Sequence, residues 1–457
     1  MRWRPILFAA LLATLCGHAA AIPAPEGPPA NKLPSAAPSD APHRLSLHEA
    51  EAIARKNNPR ITVARLNALA SQQISREASS ALYPTLYAYL TAVAAHDGGR
   101  ISAGGLNNPI LYDRAAGGLT LNQLITDFGQ TSNLVASSRL RTQADDERAL
   151  ATTDEILLAV DQSFYNALGT QALTKVAQQA VSARQSVADQ VHALADSKLR
   201  SELDASFADV DLAEANLLLL DAENNQKAAL ASLSTVLGYP DQQDFELVDE
   251  STPLEPPPSD VERLIAEALS RRPELAALDL DTQAAERYSI AEQDLLLPSV
   301  RVLGAVGGAP YRNEAVSPWY GGVGVNIEIP LFNGFLFNAR AKEADLRAEA
   351  SRQRLLEFKN AVARDVRTSW LDLGAAYARL DVARRLLDHA NRALDLARSR
   401  YELGLSSIVE LSQAQLYQTR AEISSTEARY RYRAAEANLR YQLGGPSVAV
   451  PAASSER

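Results

Sequence analysis

Lys198-Leu199-Arg200-Ser201 and, 206 residues further on, Gly404-Leu405-Ser406-Ser407 are the two stretches on which the fold turns. Each closes a long run almost free of glycine and proline and opens a shorter one of the same kind, so each reads as a helix reversal. The offset of 206 holds without a gap from Gly117–Pro240 to Val323–Pro446. Identical pairs include Val160/Val366, Ser163/Ser369, Leu199/Leu405, Ser201/Ser407, Ser206/Ser412 and Gly238/Gly444. Upstream, Asn58-Pro59 precedes Tyr83-Pro84, and Arg272-Pro273 precedes Leu297-Pro298 at an offset of 214. A register kept this long reads as duplication. The expected organisation is a first repeat over 44–240, a linker over 241–258 with Pro-rich Thr252–Pro258, a second repeat over 259–446 and a tail over 447–457.

Each repeat reads as a helix, two strands and a very long helical region. Ser46…Glu49 and Ser259…Glu262 are expected to cap the first helices as capping boxes. The strands are placed at Leu86–Ala94 and Gly117–Ile125, then at Ser299–Val306 and Gly321–Leu331, with loops over His96–Arg114 and Gly308–Pro318. Val323, Val325, Ile327 and Ile329 alternate with Gly322, Gly324, Asn326 and Glu328, as in a strand with lipid on one side and water on the other. In the helical regions Ala208, Ala215, Ala222 and Ala229 recur every seven residues, matched by Ala414, Ala421, Ala428 and Ala435. Leu203, Val210 and Leu217 run beside the first series, and Val409, Leu416, Ile423 and Tyr430 beside the second. Small residues at a sustained heptad let helices approach closely and supercoil.

Residues 129–198 would rise about 105 Å as one helix, and 202–238 would return only about 55 Å. The helix ending at Pro84, and its copy ending at Pro298, supply the missing ascent, so long helices lie beside stacked pairs of shorter ones. Four strands are too few for a membrane barrel, whose minimum is about eight. Eight would be filled by side chains, so a duct calls for three chains and about twelve strands. The expected fold is mainly α with a small membrane β part: a long α-helical barrel plus four strands per protomer in a trimeric 12-stranded β-barrel.

Arg2 and Arg4, the apolar run Ile6–Leu15 and Ala19-Ala20-Ala21 read as a signal peptide over residues 1–21. Residues 22–43 are a Pro/Ala-rich leader. Cys16, the sole cysteine, follows Leu15 where a lipoprotein signal has a small residue, so no lipid, disulfide or thiolate chemistry is expected. Loss of Arg2 and Arg4 takes the formal charge from −10 to −12, against a nucleic-acid partner.

In this order, duplicated, the motifs resemble the TolC-like outer-membrane efflux protein family over residues 44–446. The resemblance rests on Asn58-Pro59, Tyr83-Pro84, Leu297-Pro298, Pro330-Leu331-Phe332-Asn333-Gly334 and the run Tyr401 to Glu410. It implies a homotrimeric exit duct of a tripartite efflux or type I secretion system. The duct would sit in outer-membrane lipid with a large periplasmic part, docked to a periplasmic adaptor and an inner-membrane transporter. It also implies an aperture formed by Asp204, Glu410, Tyr401, Arg200 and Gln413, with a Tyr401–Asp204 hydrogen bond holding it shut. Arg200 would substitute for the gating arginine that the family has where Ser406 stands, and Lys198 replaces the usual turn glycine. The exposed reversals assign adaptor contact to Lys198, Leu199, Ser201, Gly404, Leu405, Ser406 and Ser407.

Aromatics at the strand ends, Trp319 and Tyr320 with Tyr311 at one and Phe332 and Phe335 with Phe128 and Phe337 at the other, read as membrane-interface residues. No enzyme, cofactor or metal is expected. The histidines have no ligand spacing, and His48-Glu49-Ala50-Glu51-Ala52 lacks the second histidine of a zinc helix. A periplasmic coiled-coil adaptor or structural scaffold is the alternative, as is a receptor-like binding barrel.

Overall fold

The computed structural model describes residues 43–94, 112–249 and 253–445. The signal peptide, nearly all of the leader, most of the first strand–strand loop and the C-terminal tail lie outside the described residues. Leader residue His43 opens β1 (His43–Leu45), which pairs in parallel with β4 (Phe245–Leu247) inside the expected linker.

The first repeat continues with α1 (Leu47–Asn57), α2 (Pro59–Ser80), β2 (Thr85–Val93), β3 (Arg114–Thr126), α3 (Gln130–Asp196) and α4 (Glu202–Val236). The second has α5 (Val261–Arg271), α6 (Pro273–Gln293), β5 (Ser299–Arg312), β6 (Trp319–Glu328), α7 (Leu336–Glu402) and α8 (Ile408–Gln442). The long helices are 67 residues each and their returns 35 each. At 1.5 Å per residue they measure about 100 Å and about 52 Å. The 11 residues of α1 and 22 of α2 supply the remainder beside α3.

Local chemistry sets the ends. Ser46 and Glu49 form the expected capping box. Ser259 and Glu262 do not: Asp260, at the true offset from Ser46, caps α5 by accepting from the Arg263 amide. Pro59 and Pro273 start α2 and α6, where a missing N–H costs nothing. Strand β5 runs on to Arg312, into the expected loop, because residues Gly307 and Gly308 pair with Tyr320 and Trp319. Strand β6 stops at Glu328, so Ile329–Leu331 lie in the turn to α7.

The described residues form one layer. The sheet order β2-β3-β5-β6 is antiparallel throughout. Each strand is continuous with a helix, and those helices pack in the same order, α2 on α3, α3 on α6, α6 on α7. Further along, α3 packs on α4 and α8, and α8 on α7. Ala208, Ala215, Ala229, Ala414, Ala421 and Ala428 are buried on these contacts, while Ala222 and Ala435 are partly buried. At the waist Leu45, Phe245 and Leu247 pack with Ile156, Val160, Phe164 and Leu233 in one core. The linker is anchored too, since Trp370 donates its indole N–H to Pro258 at 2.7 Å.

Candidate functional site

Strand pairing fixes which side chains share a sheet face, because directly opposed residues point the same way. One face carries the rows Leu86–Leu121–Gly304–Val323, Val302–Val325 and Val300–Ile327. The other carries Thr85–Asn122, Tyr87–Thr120, Arg301–Asn326 and Ser299–Glu328. Apolar side chains on the first face are largely uncovered, Val323 being 81% exposed. This is the two-faced pattern of a barrel wall between lipid and water. Among the described residues no helix is long and apolar enough to cross a membrane.

Trp319 lies on the apolar face and Tyr320 on the other. Tyr320 opposes Gly307, which opposes Gly118, so its ring shares the polar face and lies over both glycines. The period of two sets adjacent Trp319 and Tyr320 on opposite sides of the sheet. Phe332 and Phe335 are exposed in the turn into α7, with ring centroids 5.7 Å apart.

At the far end of the helices the two reversals share one backbone solution. The Leu199 amide donates to the Leu194 carbonyl and the Leu405 amide to the Arg400 carbonyl, each at 2.8 Å, as in a Schellman motif. Both need a left-handed residue, Lys198 at φ 60° and Gly404 at φ 73°. Lysine bears the cost of its Cβ there, roughly 1 kcal/mol.

The next turn separates the repeats. Ser201 caps α4, with the Asp204 amide donating to its Oγ at 3.2 Å and its own amide donating to Asp204 Oδ2 at 3.3 Å. Ser407 makes no side-chain cap bond, and Glu410 pairs with Arg400 at 3.1 Å instead. The two pseudo-equivalent acids therefore have different partners.

Arg200 joins the repeats. Its guanidinium lies 4.5 Å from the Tyr401 ring centroid and donates to the Tyr401 carbonyl at 3.2 Å. Tyr401 is buried with Ala205, Ala397, Ile408 and Leu411, and burial raises its phenol pKa, with Arg200 opposing and Asp204 adding to the rise. The expected Tyr401–Asp204 hydrogen bond is not formed: the Tyr401 hydroxyl has no partner, because Asp204 is turned toward its own cap. Gln413 is exposed one turn beyond Glu410. A second cross-repeat link, from the Ser412 hydroxyl to Asp211, carried no clear sequence signal. At the tips Leu199, Leu403 and Leu405 are exposed, whereas Ser406 is partly buried.

A family model described as outer membrane efflux protein matches residues 52–239 and 264–445. The chain is 28% identical over 405 residues to protein CyaE of Bordetella pertussis, covering 85% of this chain and 81% of that one. It is 22% identical over 418 residues to outer membrane protein TolC of Salmonella enteritidis, covering 86% and 80%. Among solved structures, VceC of Vibrio cholerae superposes with a TM-score of 0.72 at 17% identity, covering 87% of this chain and 96% of that one. The open state of the Neisseria gonorrhoeae MtrE channel gives 0.74 at 18% identity, covering 87% and 89%. With the family model spanning both repeats, and a two-faced sheet above a long helical layer, the chain belongs to the outer membrane efflux protein family, whose members are outer-membrane exit ducts with a large periplasmic helical part.

Proposed function

We propose that three copies of this chain close edge to edge into a passive duct, twelve strands in the outer membrane above a helical tunnel in the periplasm. The supporting observation is the state of the layer's two edges. Strands β2 and β6 each have one unpaired side. Below them, α2 and α4 expose Val63, Leu66 and Leu217 at one edge, and α7 exposes Leu356, Leu386 and Leu396. An open sheet edge is not tolerated in lipid, so the strands must find partners, and a second layer of the same kind supplies them. Light scattering of the protein in mild detergent should give a trimer; a monomer would overturn the reading.

The reversals are the adaptor-contacting end, through which the duct joins an inner-membrane transporter. Their exposed leucines can enter grooves on a periplasmic adaptor. Gly404→Glu with Leu405→Glu should abolish export while trimers persist. Wild-type export would remove the docking assignment. The same end holds the aperture, where Asp204, Glu410 and Gln413 from three copies would surround a narrow opening. Arg200 is its tie, drawing the first reversal onto the second through Tyr401.

A further inference from the structure

Away from both ends, a small cavity of about 20 Å³ lies between α1, α3 and α8, bounded by Glu51, Asp154, Leu157, Asp161, Arg440 and Tyr441. Asp161 is 7% exposed, and its Oδ1 is buried without a hydrogen-bond partner. The orphan oxygen is unusual, since a buried carboxylate normally has its acceptor sites filled. A second carboxyl, that of Glu51 on α1, lines the same cavity. Two carboxyls sharing so small and buried a space cannot both be charged without repelling one another.

We propose that Asp161 and Glu51 form a buried proton-binding site whose occupancy sets how tightly α1 is held against α3.

The charged surroundings come from every packed element. On α1, Arg55 reaches Glu51 only at 3.8 Å. On α8, Arg440 faces the pair, while Arg433 is paired with Glu436 at 3.0 Å. On α3, Tyr165 and Asp154 flank it, and Glu274 of α6 faces Asp154 and accepts from Tyr441 at 3.2 Å. Burial, then the charge of Glu51, pushes Asp161 up to about 7 despite Arg440. Burial, then Glu274, pushes Asp154 up to about 6 against Arg55. With its folded value raised, Asp161 holds a proton in the closed junction that it releases when α1 opens. That contribution is complete below the ordinary carboxylate range and is lost as pH rises through about 7.

The second repeat is a built-in control. At the matching offsets it has Ile265 in place of Glu51 and Arg367 in place of Asp161. Ile265 is buried in an apolar core, and Arg367 turns outward to Glu262 at 2.8 Å. Helix α5 is therefore held without a proton.

Hydrogen exchange of the full detergent-solubilised protein, read by mass spectrometry as the ratio of the α1 peptide to the α5 peptide, cancels the intrinsic pH dependence of exchange. Between pH 6 and pH 8 the wild-type ratio should rise roughly tenfold. Asp161→Asn cannot lose a proton in this range, so its ratio should stay flat and α1 should be better protected at pH 8. Glu51→Gln removes the second cause and leaves burial, so it should shrink the rise without abolishing it, giving a second variant should the first fold poorly. A flat wild-type ratio, or the same rise in both variants, would overturn the proposal. The outcome is independent of trimer assembly and of adaptor docking.

Discussion

Arg200 links the two reversals. It stacks on Tyr401 and bonds its carbonyl, whereas the Tyr401 hydroxyl is unpaired. The two contacts respond differently to substitution. Arg200→Ala should weaken the link between the reversals by roughly 1 kcal/mol and raise resting single-channel conductance. Tyr401→Phe keeps the ring and loses only the unused hydroxyl, so it should conduct like the wild type. Planar-bilayer recording of both variants decides between a stacking tie and a phenol–carboxylate lock, for which the order would reverse.

At the scale of elements, β6 shows how a period of two sorts neighbours. Tyr320 and Val323 are three residues apart and face opposite ways. Introduced at Tyr320, a cysteine should react with a membrane-impermeant thiol reagent in the assembled channel. A cysteine at Val323 should react only with a lipid-soluble one. The only native cysteine, Cys16, lies in the expected signal peptide, so the background is low. Reversed labelling would mean that the lipid and water faces have been exchanged. The returning helices show the same dependence on place. Their alanine heptads are equivalent, yet Val210 and Leu217 of α4 are exposed whereas Leu416 and Ile423 of α8 are half-buried. Helix α8 lies between α3 and α7, whereas α4 is at the edge of the layer.

Over the whole molecule that edge is the test of assembly. Leu217→Glu places a charge on an exposed helix face, so it should leave the single chain's fold intact. Between copies it would bury an unpaired carboxylate, at a cost of several kcal/mol per seam. The variant should remain helical by circular dichroism and lose the trimer in light scattering. A trimer of wild-type stability would show that α4 does not lie on the seam. The single chain cannot bury its edges by itself, since both flank one continuous layer and no described element folds back over them.

By itself the sequence determined the duplication, the helix and strand types, the reversals and the split of sheet residues into lipid-facing and water-facing sets. These are local or periodic properties: proline and serine at helix starts, heptads of alanine, alternation along β6. Only the tertiary structure decided which equivalent residues acquire different partners. Asp204 and Glu410 match in sequence, but one closes a cap and the other pairs with Arg400. Tyr320 directly follows Trp319, but cross-strand register sets its ring on the other face, over Gly307 and Gly118. Glu51 and Asp161 lie 110 positions apart and show no motif. They meet because α1 packs on α3, and burial there decides whether a carboxyl keeps its proton, since desolvation depends on what surrounds a group in space rather than in sequence.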